Sequence, residues 1–581
     1  MDTSQLGPEQ RSQALARLER EVFDIVIIGG GVTGTGAALD AVSRGFSVAL
    51  LEQRDWAAGT SSRSSKLIHG GLRYLEQLDF ELVREAKKEQ ALMLGELCPH
   101  LVRPIPFLFP LSHRVWERAY VGAGIFLYDL MGRHRDTPRH SHLSRRGVQQ
   151  LFPGLNPQHI TGGILYYDAQ VDDARHTLAL ARTAALHGAA LASSARVENL
   201  MKTGTRVTGA QVRCLETGQA IEVRGQQVIN ATGVWTDRIQ NYAGQGRIHV
   251  RASKGIHLVV PRDKIQGDSG LILRTEKSVL FVIPWKNHWI IGTTDTDWDL
   301  DLAHPAASRN DVDYLLERLN AVLASPLDRT DIDGIYAGLR PLLQGETDDT
   351  SELSRHHAVS QSVSGLITVA GGKYTTYRLM ARDAIDLAAR SLGAQVKPSR
   401  TEEIPLVGAP GYRDLWKRRK ALAEENGLPV QQIEHLLSRY GSRIEEVLAQ
   451  IDARPDLRES LEGAPGYLRV EAHYAASHES ALHLEDVLTR RTRISIETAD
   501  RGLRSAHPVS ELMGEVLGWD AATRAREIDH YEARIRAERD SQEQPDDRTA
   551  DAARLGAPDV RMGGHRATAK TARPIPPEPA N

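Results

Sequence analysis

The sequence is poor in cysteine, with two in 581 residues. Cys98 and Cys214 lie far apart and form no C-x-x-C pair, which argues against a disulfide framework and against a thiolate zinc site. Two isolated cysteines are typical of a protein in a reducing compartment, where each behaves as a small buried hydrophobic side chain. We therefore expect a cytoplasmic protein.

Long hydrophobic runs are also missing, since no stretch reaches the roughly 18 to 20 consecutive apolar residues that a membrane-spanning helix requires. The first residues, MDTSQLGPEQRSQALARLEREVFD, contain no apolar core of the kind found in secretory signals, so export is not expected. The net charge is only −3, which does not suggest nucleic acid as a partner. With 41% hydrophobic residues, the chain can bury two or more domain cores.

A glycine turn between two apolar strands is present in the segment Val22 to Gln53, VFDIVIIGGGVTGTGAALDAVSRGFSVALLEQ. Gly29, Gly31 and Gly34 have the G-x-G-x-x-G spacing that allows a tight turn, close approach to a pyrophosphate and close packing of the next helix. Glu52 ends the second strand, where a carboxylate binds a ribose diol and repels a 2′-phosphate. The segment predicts a site for a dinucleotide with an unphosphorylated adenosine.

The glycine turn fits NAD and FAD equally, and the segment Gly59 to Glu76, GTSSRSSKLIHGGLRYLE, decides between them. It resembles the FAD-dependent glycerol-3-phosphate dehydrogenases, in which S-S-K-L-I-H-G-G-L-R-Y-L-E runs under the flavin. Small hydroxyl residues can bond phosphate or ribityl oxygens, and paired glycines let the backbone approach a flat ring. The residues expected to contact FAD here are Ser61, Ser62, Ser65, Lys66, His69 and Gly70.

Three later segments extend the resemblance over nearly all of residues 20 to 510: VINATGVWTD from Val228, IYAGLRPLL from Ile335 and GLITVAGGKYTTYRLM from Gly365. The resemblance implies that the first and third approach the flavin and that the second carries the family's substrate arginine. The third should place a helix N-terminus and a lysine near the ring, where positive charge stabilises the reduced flavin. Further expected FAD contacts are Val197, Ala231, Gly233, Gly371, Gly372 and Thr375.

The expected fold class is α/β: a Rossmann-like, glutathione-reductase-like FAD-binding domain, an antiparallel-sheet substrate domain and a helical C-terminal domain. We expect an N-terminal extension at residues 1–20 and a discontinuous FAD-dependent oxidoreductase region at 21–400. The helical domain should span 401–536 because apolar residues there recur at helical spacing. Residues 537–581 contain few large apolar side chains, which predicts a disordered tail.

The implied reaction is oxidation of sn-glycerol 3-phosphate to dihydroxyacetone phosphate, with hydride passing from C2 to flavin N5 and electrons going on to a membrane quinone. It needs cations for a phosphate dianion, a base for the C2 hydroxyl proton and positive charge near the reduced ring. His257, in the strand SKGIHLVV, is the expected base, and His69 is its rival. The predicted catalytic residues are His257, Arg340 and Lys373, and the predicted substrate contacts are Arg73, Tyr74, Arg340 and Lys373.

The segment Tyr120 to Met131, YVGAGIFLYDLM, is apolar apart from one aspartate. Basic residues follow it, namely Arg133, His134, Arg135, Arg139, Arg145 and Arg146. Such a segment suits either an interfacial membrane anchor or a core helix beside a solvated basic loop. The resemblance favours peripheral attachment to the inner face of the cell membrane, because these dehydrogenases deliver electrons to quinone.

Other functions remain open at this point: a glycerol-3-phosphate oxidase that uses O2, an amino-acid oxidase of the same cofactor fold, or a flavin-binding redox scaffold without turnover. An amine substrate does not call for several cations around one pocket, which disfavours the second. The sequence leaves the oligomeric state open, with a homodimer as one option. His473, His478 and His483 are spaced by five residues, which does not place them on one helix face, so we predict no metal.

Overall fold

The computed structural model describes residues 4–71, 79–112, 116–132, 137–244, 246–274, 279–344, 357–393, 395 and 397–563. The helices in this part of the chain are α1 (Pro8–Arg20), α2 (Val32–Ser43), α3 (Phe80–Leu92), α4 (Trp116–Leu130), α5 (Arg145–Leu151), α6 (Asp173–Leu186), α7 (Thr236–Ala243), α8 (Arg309–Asn320), α9 (Tyr377–Ser391), α10 (Tyr412–Lys417), α11 (Arg419–Asn426), α12 (Val430–Tyr440), α13 (Ile444–Ala453), α14 (Arg469–His478), α15 (Ile494–Glu497), α16 (Leu503–Leu517), α17 (Ala521–Gln542), α18 (Asp547–Arg554) and α19 (Val560–Gly563).

The strands are β1 (Val22–Ile28), β2 (Val48–Leu51), β3 (Leu67–Ile68), β4 (Val102–Leu111), β5 (Ser141–Ser144), β6 (Gly162–Val171), β7 (Ala190–Ala192), β8 (Ala195–Thr203), β9 (Arg206–Cys214), β10 (Ala220–Asn230), β11 (Val250–Pro261), β12 (Gly270–Arg274), β13 (Val279–Trp285), β14 (His288–Gly292), β15 (Thr296–Trp298), β16 (Gly334–Leu343), β17 (His357–Val363), β18 (Leu366–Gly371), β19 (Ser460–Leu461) and β20 (Ala464–Leu468).

The first sheet has eight strands in the order β17-β18-β10-β1-β2-β7, with β8 and β9 attached beside β10. Strand β1 pairs in parallel with β10 and β2, and β18 pairs in parallel with β10. Successive side chains of β1 enter different cores: Ile25 and Ile27 pack among helices α2, α6 and α9, whereas Phe23 and Val26 pack on the other face. This burial on both faces explains the apolar run of β1.

The second sheet has ten strands in the order β15-β11-β14-β13-β12-β4-β6-β3, with β16 paired to β11 and β5 paired to β6. Its pairs are antiparallel apart from β4 with β12. On β11, Ile256 and Leu258 enter the core beneath helix α8, so His257 between them projects from the opposite face. The predicted fold class is confirmed in both sheets and in the helical C-terminal domain.

The C-terminal helices pack around their own core, which includes Leu436, Val447, Tyr474, Leu488 and Leu512. Buried ion pairs then join this domain to the segment after β2 and to the start of α6. We call this contact the arginine junction; its members are Arg490, Arg491 and Arg493 on the C-terminal side and Asp55, Asp172 and Asp173 on the other.

The predicted disordered tail is wrong for residues 537–563. Helix α17 continues to Gln542, and α18 and α19 follow it. Arg561 is buried and donates to the carboxylate of Asp486 at 2.9 and 3.0 Å. The low content of large apolar residues predicted disorder in this segment. The prediction is wrong because ion pairs, rather than large apolar side chains, hold the segment in place. Residues 564–581 lie outside the described residues.

None of the helices in the described ranges is both long enough and apolar enough to cross a membrane. Helix α4 covers most of the predicted interfacial segment and is amphipathic: Ile125 and Tyr128 are fully buried, whereas Phe126 and Leu130 are 60% and 71% exposed. Arg133, His134 and Arg135 lie outside the described residues.

Candidate active site

A cavity of about 990 Å³ lies between the carboxyl ends of β1, β2 and β18 and the face of the second sheet that carries His257. This is the edge of an open parallel sheet at which ligands bind. The predicted site residues that line it are Gly29, Gly31, Glu52, Ser61, Ser65, His69, Val197, Ala231, Gly233, His257, Arg340, Gly371, Gly372 and Lys373. The predicted residues Gly34, Ser62, Lys66, Gly70 and Thr375 are not part of the lining.

The glycine turn forms the floor of one end of the cavity. Gly29 has a φ of +114°, which L side chains rarely adopt, and a Cβ on Gly34 would lie 1.8 Å from the carbonyl oxygen of Gly29. Gly34 therefore lets α2 approach the turn rather than contacting a ligand. Helix α2 begins directly after Gly31, so its positive end faces the space where a pyrophosphate would lie.

Glu52 directly follows β2 and is held by two backbone amides. Its Oε2 accepts from Gly30 N and its Oε1 accepts from Arg54 N, both at 2.7 Å. Burial raises the pKa of this carboxyl group, and the two amides oppose the rise. The carboxylate is thus oriented at the edge of the cavity, as a ribose contact requires.

In the segment Gly59 to Glu76, which we call the serine-rich segment, some predicted residues line the cavity and others do not. Ser61 Oγ accepts from Val32 N at 2.9 Å, and Ser65 Oγ lies 2.8 Å from His257 Nε2. Lys66 instead lies behind the cavity, fully buried, with its Nζ 3.0 Å from Asp173 Oδ1. A Cβ on Gly70 would contact Lys87 and Tyr128, so this glycine serves packing.

Two predicted substrate contacts, Arg73 and Tyr74, lie outside the described residues.

His257 is held in a polar and aromatic environment. Its ring stacks on Tyr336 with centroids 4.7 Å apart, and its Nδ1 is buried without a hydrogen-bond partner among the described residues. Burial, assisted by Arg340 and Lys66, holds the pKa of His257 well below its usual value. The imidazole is accordingly neutral and able to accept a proton, and its lowered pKa makes it a weak base.

Arg340 lies beside Ser253 in the register of β16 and β11. Its guanidinium donates to Ser253 Oγ at 3.2 Å and to Thr293 Oγ1 at 3.1 Å, and Nη1 lies 3.3 Å from Asp295 Oδ1. These contacts fix the planar fork at the wall of the cavity.

Sequence reasoning missed Asp295 and Arg274, which also line the cavity. The polar run Thr293 to Asp297, which follows the apolar strand β14, could have drawn attention to Asp295. Arg274 is the last residue of β12 and carried no comparable pattern.

The positive end of the cavity is formed where β18 turns into α9. Gly371 and Gly372 both have a φ of +76°, and Lys373 is the N-cap of the Tyr374–Thr376 turn that leads into the helix. Thr375 Oγ1 donates to the carbonyl oxygen of His69 at 3.1 Å, so Thr375 ties this turn to the serine-rich segment. The turn thereby directs a helix N-terminus and a lysine into the cavity.

The three histidines spaced by five residues contact different partners. His473 contacts Gln450, His478 contacts Ser477, and His483 lies between Glu216 and Glu527. Among the described residues, no group of three or more histidine, cysteine or acidic side chains is arranged to hold a metal ion.

Comparison with known proteins agrees with this geometry. The sequence model of the FAD dependent oxidoreductases matches residues 24–378, more than half of the chain, and that of the C-terminal domain of alpha-glycerophosphate oxidase matches residues 399–524. The chain is 58% identical to Glycerol-3-phosphate dehydrogenase 2 of Mycobacterium tuberculosis over 96% of this chain and 95% of that protein. The chain belongs to the FAD-dependent glycerol-3-phosphate dehydrogenase family.

Other relatives are consistent with this family. The human mitochondrial glycerol-3-phosphate dehydrogenase is 37% identical over 88% of this chain and 73% of its own length. The glycerol-3-phosphate dehydrogenase of Bacillus halodurans, solved with FAD, superimposes with a TM-score of 0.76 at 27% identity, covering 91% of this chain and 98% of that one. The predicted family, enzyme class and FAD cofactor are confirmed.

Proposed function

We propose that the chain oxidises sn-glycerol 3-phosphate to dihydroxyacetone phosphate. One observation carries the proposal. The neutral imidazole of His257 and the cationic side chains of Arg340 and Lys373 line the same cavity as the glycine turn. A phosphorylated secondary alcohol needs this combination, because its phosphate requires cations and its hydroxyl requires a base. The names of the mycobacterial and mitochondrial relatives support the same substrate.

The residues of the cavity fit FAD at the dinucleotide end. A Cβ on Gly31 would lie 3.1 Å from Ser61 Oγ, so a glycine keeps the backbone between α2 and Ser61 clear for phosphate oxygens. Gly29, Gly31 and Ser61 would hold the pyrophosphate, and Glu52 would hold the ribose. FAD supplies the ring that accepts the C2 hydrogen with its electron pair as hydride.

His257 is proposed to take the proton of the C2 hydroxyl through Nε2, the nitrogen that Ser65 contacts. The O–H bond breaks as the C–H bond is broken, and the C=O bond of the ketone forms. Arg340 and Lys66 depress the pKa of His257 in the absence of substrate. A bound phosphate dianion opposes these cations, so substrate binding should raise the basicity of the imidazole when it is needed.

Arg340 and Lys373 are proposed to hold the phosphate, together with Arg73 and Tyr74. A guanidinium fork matches phosphate oxygens with two parallel hydrogen bonds, and Lys373 adds a mobile point charge. Lys373 and the N-terminus of the Tyr374–Thr376 turn also place positive charge where the oxidation leaves negative charge.

Anaerobic reduction of the bound flavin tests the reaction. Addition of sn-glycerol 3-phosphate to the purified holoenzyme should bleach the flavin absorbance without NAD, whereas glycerol, which lacks the phosphate, should not. The variant His257→Gln should bind substrate but reduce the flavin more slowly. A protein whose flavin stays oxidised with sn-glycerol 3-phosphate would refute the proposed function.

The proposed acceptor is a membrane quinone, and O2 is the alternative. Helix α4 supports contact with a membrane, because Trp116, Tyr120, Phe126 and Leu130 are 56% to 71% exposed along it. Apolar and aromatic side chains on one face, with exposed arginines such as Arg145 nearby, suit the boundary between lipid headgroups and acyl chains. The proposed location is the inner face of the cell membrane, with a homodimer as a proposed assembly.

Sedimentation with anionic vesicles tests the membrane contact. Replacing Trp116, Tyr120 and Phe126 with serine should leave a folded enzyme that no longer sediments, whereas the Val22→Ser variant, which alters an exposed apolar residue elsewhere, should still bind. Equal binding of both variants would show that α4 is not the anchor. Turnover with a soluble quinone that exceeds turnover with O2 would support the quinone as acceptor.

A further inference from the structure

A second, smaller cavity of about 70 Å³ lies where the FAD-binding region, β16 and the C-terminal helices meet. We call it the arginine cavity. It is lined by Arg63 from the serine-rich segment, by Arg493 and Ser495 from the C-terminal domain, and by Arg534, Glu538 and Arg554 from α17 and α18. One water takes up about 30 Å³ of liquid, so the space exceeds that of a single water.

The charges around the arginine cavity do not balance. Among the described residues that line it, Glu538 is the only acidic one, against four arginines. Arg534 and Arg554 share Glu538, at 3.0 and 3.6 Å. Two of the arginines also form ion pairs with carboxylates that do not line the cavity: Arg534 pairs with Glu485, and Arg493 pairs with Asp173.

Arg63 is the arginine without a counter-charge. Among the described residues, no carboxylate lies within ion-pair distance of its guanidinium, which makes a long 3.5 Å hydrogen bond to the carbonyl oxygen of Ala337. Burial and the neighbouring Arg54 and Arg534 hold the pKa of Arg63 well below its usual value. Arg63 is partly exposed, and a largely desolvated cation without a counter-charge is unfavourable, so the site favours a negative partner.

Other donors at the arginine cavity are also unsatisfied. Ser495 Oγ, Thr489 Oγ1 and Arg493 Nε are buried and have no hydrogen-bond partner among the described residues. Ser495 is 7% exposed, so bulk water does not compensate it. A buried donor left unpaired destabilises the folded state. These groups would all donate to the oxygens of an anion.

We propose that the arginine cavity binds a free tetrahedral oxyanion, inorganic phosphate or sulfate, that links the FAD-binding region to helices α17 and α18. Guanidinium forks match the oxygens of such an anion better than they match chloride. Because Arg63 also borders the large cavity, the phosphate of a bound cofactor is the other source of the same chemistry. The experiment below separates the two sources.

The test measures the thermal unfolding midpoint of the FAD-saturated holoenzyme against phosphate concentration, with sodium chloride holding ionic strength constant. The wild-type midpoint should rise by a few degrees and saturate, because an anion that binds only the folded state stabilises it. Gln542→Glu places a carboxylate at the lining of the arginine cavity and should lose this response. Gln431→Glu, at an exposed position on α12, is the matched control and should keep it.

Phosphate bound at the substrate site would stabilise the wild type and both variants alike. An undiminished response in Gln542→Glu, or no response in the wild type, would therefore overturn the proposal. If Gln542→Glu reduces affinity for FAD and free phosphate has no effect, the anion is a cofactor phosphate and the free-oxyanion proposal is wrong.

Two further measurements apply if Gln542→Glu does not fold. Arg63→Met removes the uncompensated charge and should also abolish the phosphate response. Crystals of the wild-type holoenzyme soaked in selenate should give an anomalous peak beside Arg63, Arg534 and Arg554. A cavity without that peak would contradict the proposal.

Discussion

The arginine junction and the large cavity use the same side chains in opposite ways. In the junction, Arg490 and Arg491 are 2% and 1% exposed and both donate to Asp55, at 2.5 to 2.7 Å. In the cavity, Arg340 keeps a quarter of its side chain exposed and lies at 3.3 Å from Asp295. Closely paired and buried charges hold domains together, whereas cations with longer contacts at an open wall can bind a charged substrate.

Asp55→Asn should have the largest effect, because it leaves two buried guanidinium groups undercompensated. Removing one partner of a buried ion pair costs about 3–5 kcal/mol of folding free energy. We expect a decrease of that size in urea unfolding of the holoenzyme. A decrease below about 1 kcal/mol would show that the junction does not differ energetically from surface pairs.

Arg340→Ala should reduce kcat/KM for sn-glycerol 3-phosphate by roughly ten- to more than a hundredfold, since a charge-assisted hydrogen bond is worth about 1.5–3 kcal/mol. Arg340→Lys keeps the charge without the planar fork and should recover only part of the loss. Flavin content and the unfolding midpoint should stay near the wild-type values, in contrast to Asp55→Asn. Steady-state kinetics decide the matter, and an unchanged kcat/KM would remove Arg340 from the substrate site.

Protonation of His483 should make the stability of the folded protein depend on pH. Glu216 and Glu527 flank it and raise its pKa from 6.5 to about 10, against the effect of burial. The stabilisation from its proton is complete below pH 6.5 and is lost as the pH rises towards 10. The slope should be at most about 1.4 kcal/mol per pH unit, the value for one extra bound proton. Unfolding curves of His483→Gln should lack this component; an identical pH dependence would contradict the assignment.

Among the ion pairs compared, the exposed pair between Arg17 and Glu21 should contribute least to the free energy of unfolding. Their side chains are 39% and 42% exposed at an N–O distance of 2.9 Å. Glu21→Gln should change the free energy of unfolding by about 0.2–1 kcal/mol, and added salt should reduce the difference. A loss similar to that of Asp55→Asn would mean that burial does not distinguish the two pairs.

Much of the site could be predicted because its determinants are local in the chain. The G-x-G-x-x-G turn, Glu52 and the Gly371-Gly372 turn each have their geometry set within a few residues, and the structure places them at one cavity. Family resemblance added Arg340, and the titration range of imidazole added His257; the two lie on neighbouring strands far from the turn. The assigned roles of these residues stay predictions.

What the sequence could not predict depends on contacts made at long range. Asp295 reaches Arg340 because strands β11, β14 and β16 are brought side by side. Lys66 resembles a cofactor ligand in the sequence, but its partner Asp173 draws it away from the cavity. The order of α18 and α19 was missed because charged residues such as Arg554 and Arg561 are buried by partners that composition does not reveal.

The ion pairs of Lys254 join parts of the chain that the ribosome synthesises at different times. This fully buried lysine lies on β11 and contacts Asp311 and Asp547, at 2.6 and 2.5 Å. Asp547 is 293 residues later in the chain, so at about 5–20 residues per second a ribosome needs roughly 15–60 s to add it. During that interval the nascent sheet has one of the two carboxylates that pair with Lys254, and helix α18 supplies the second once it is translated.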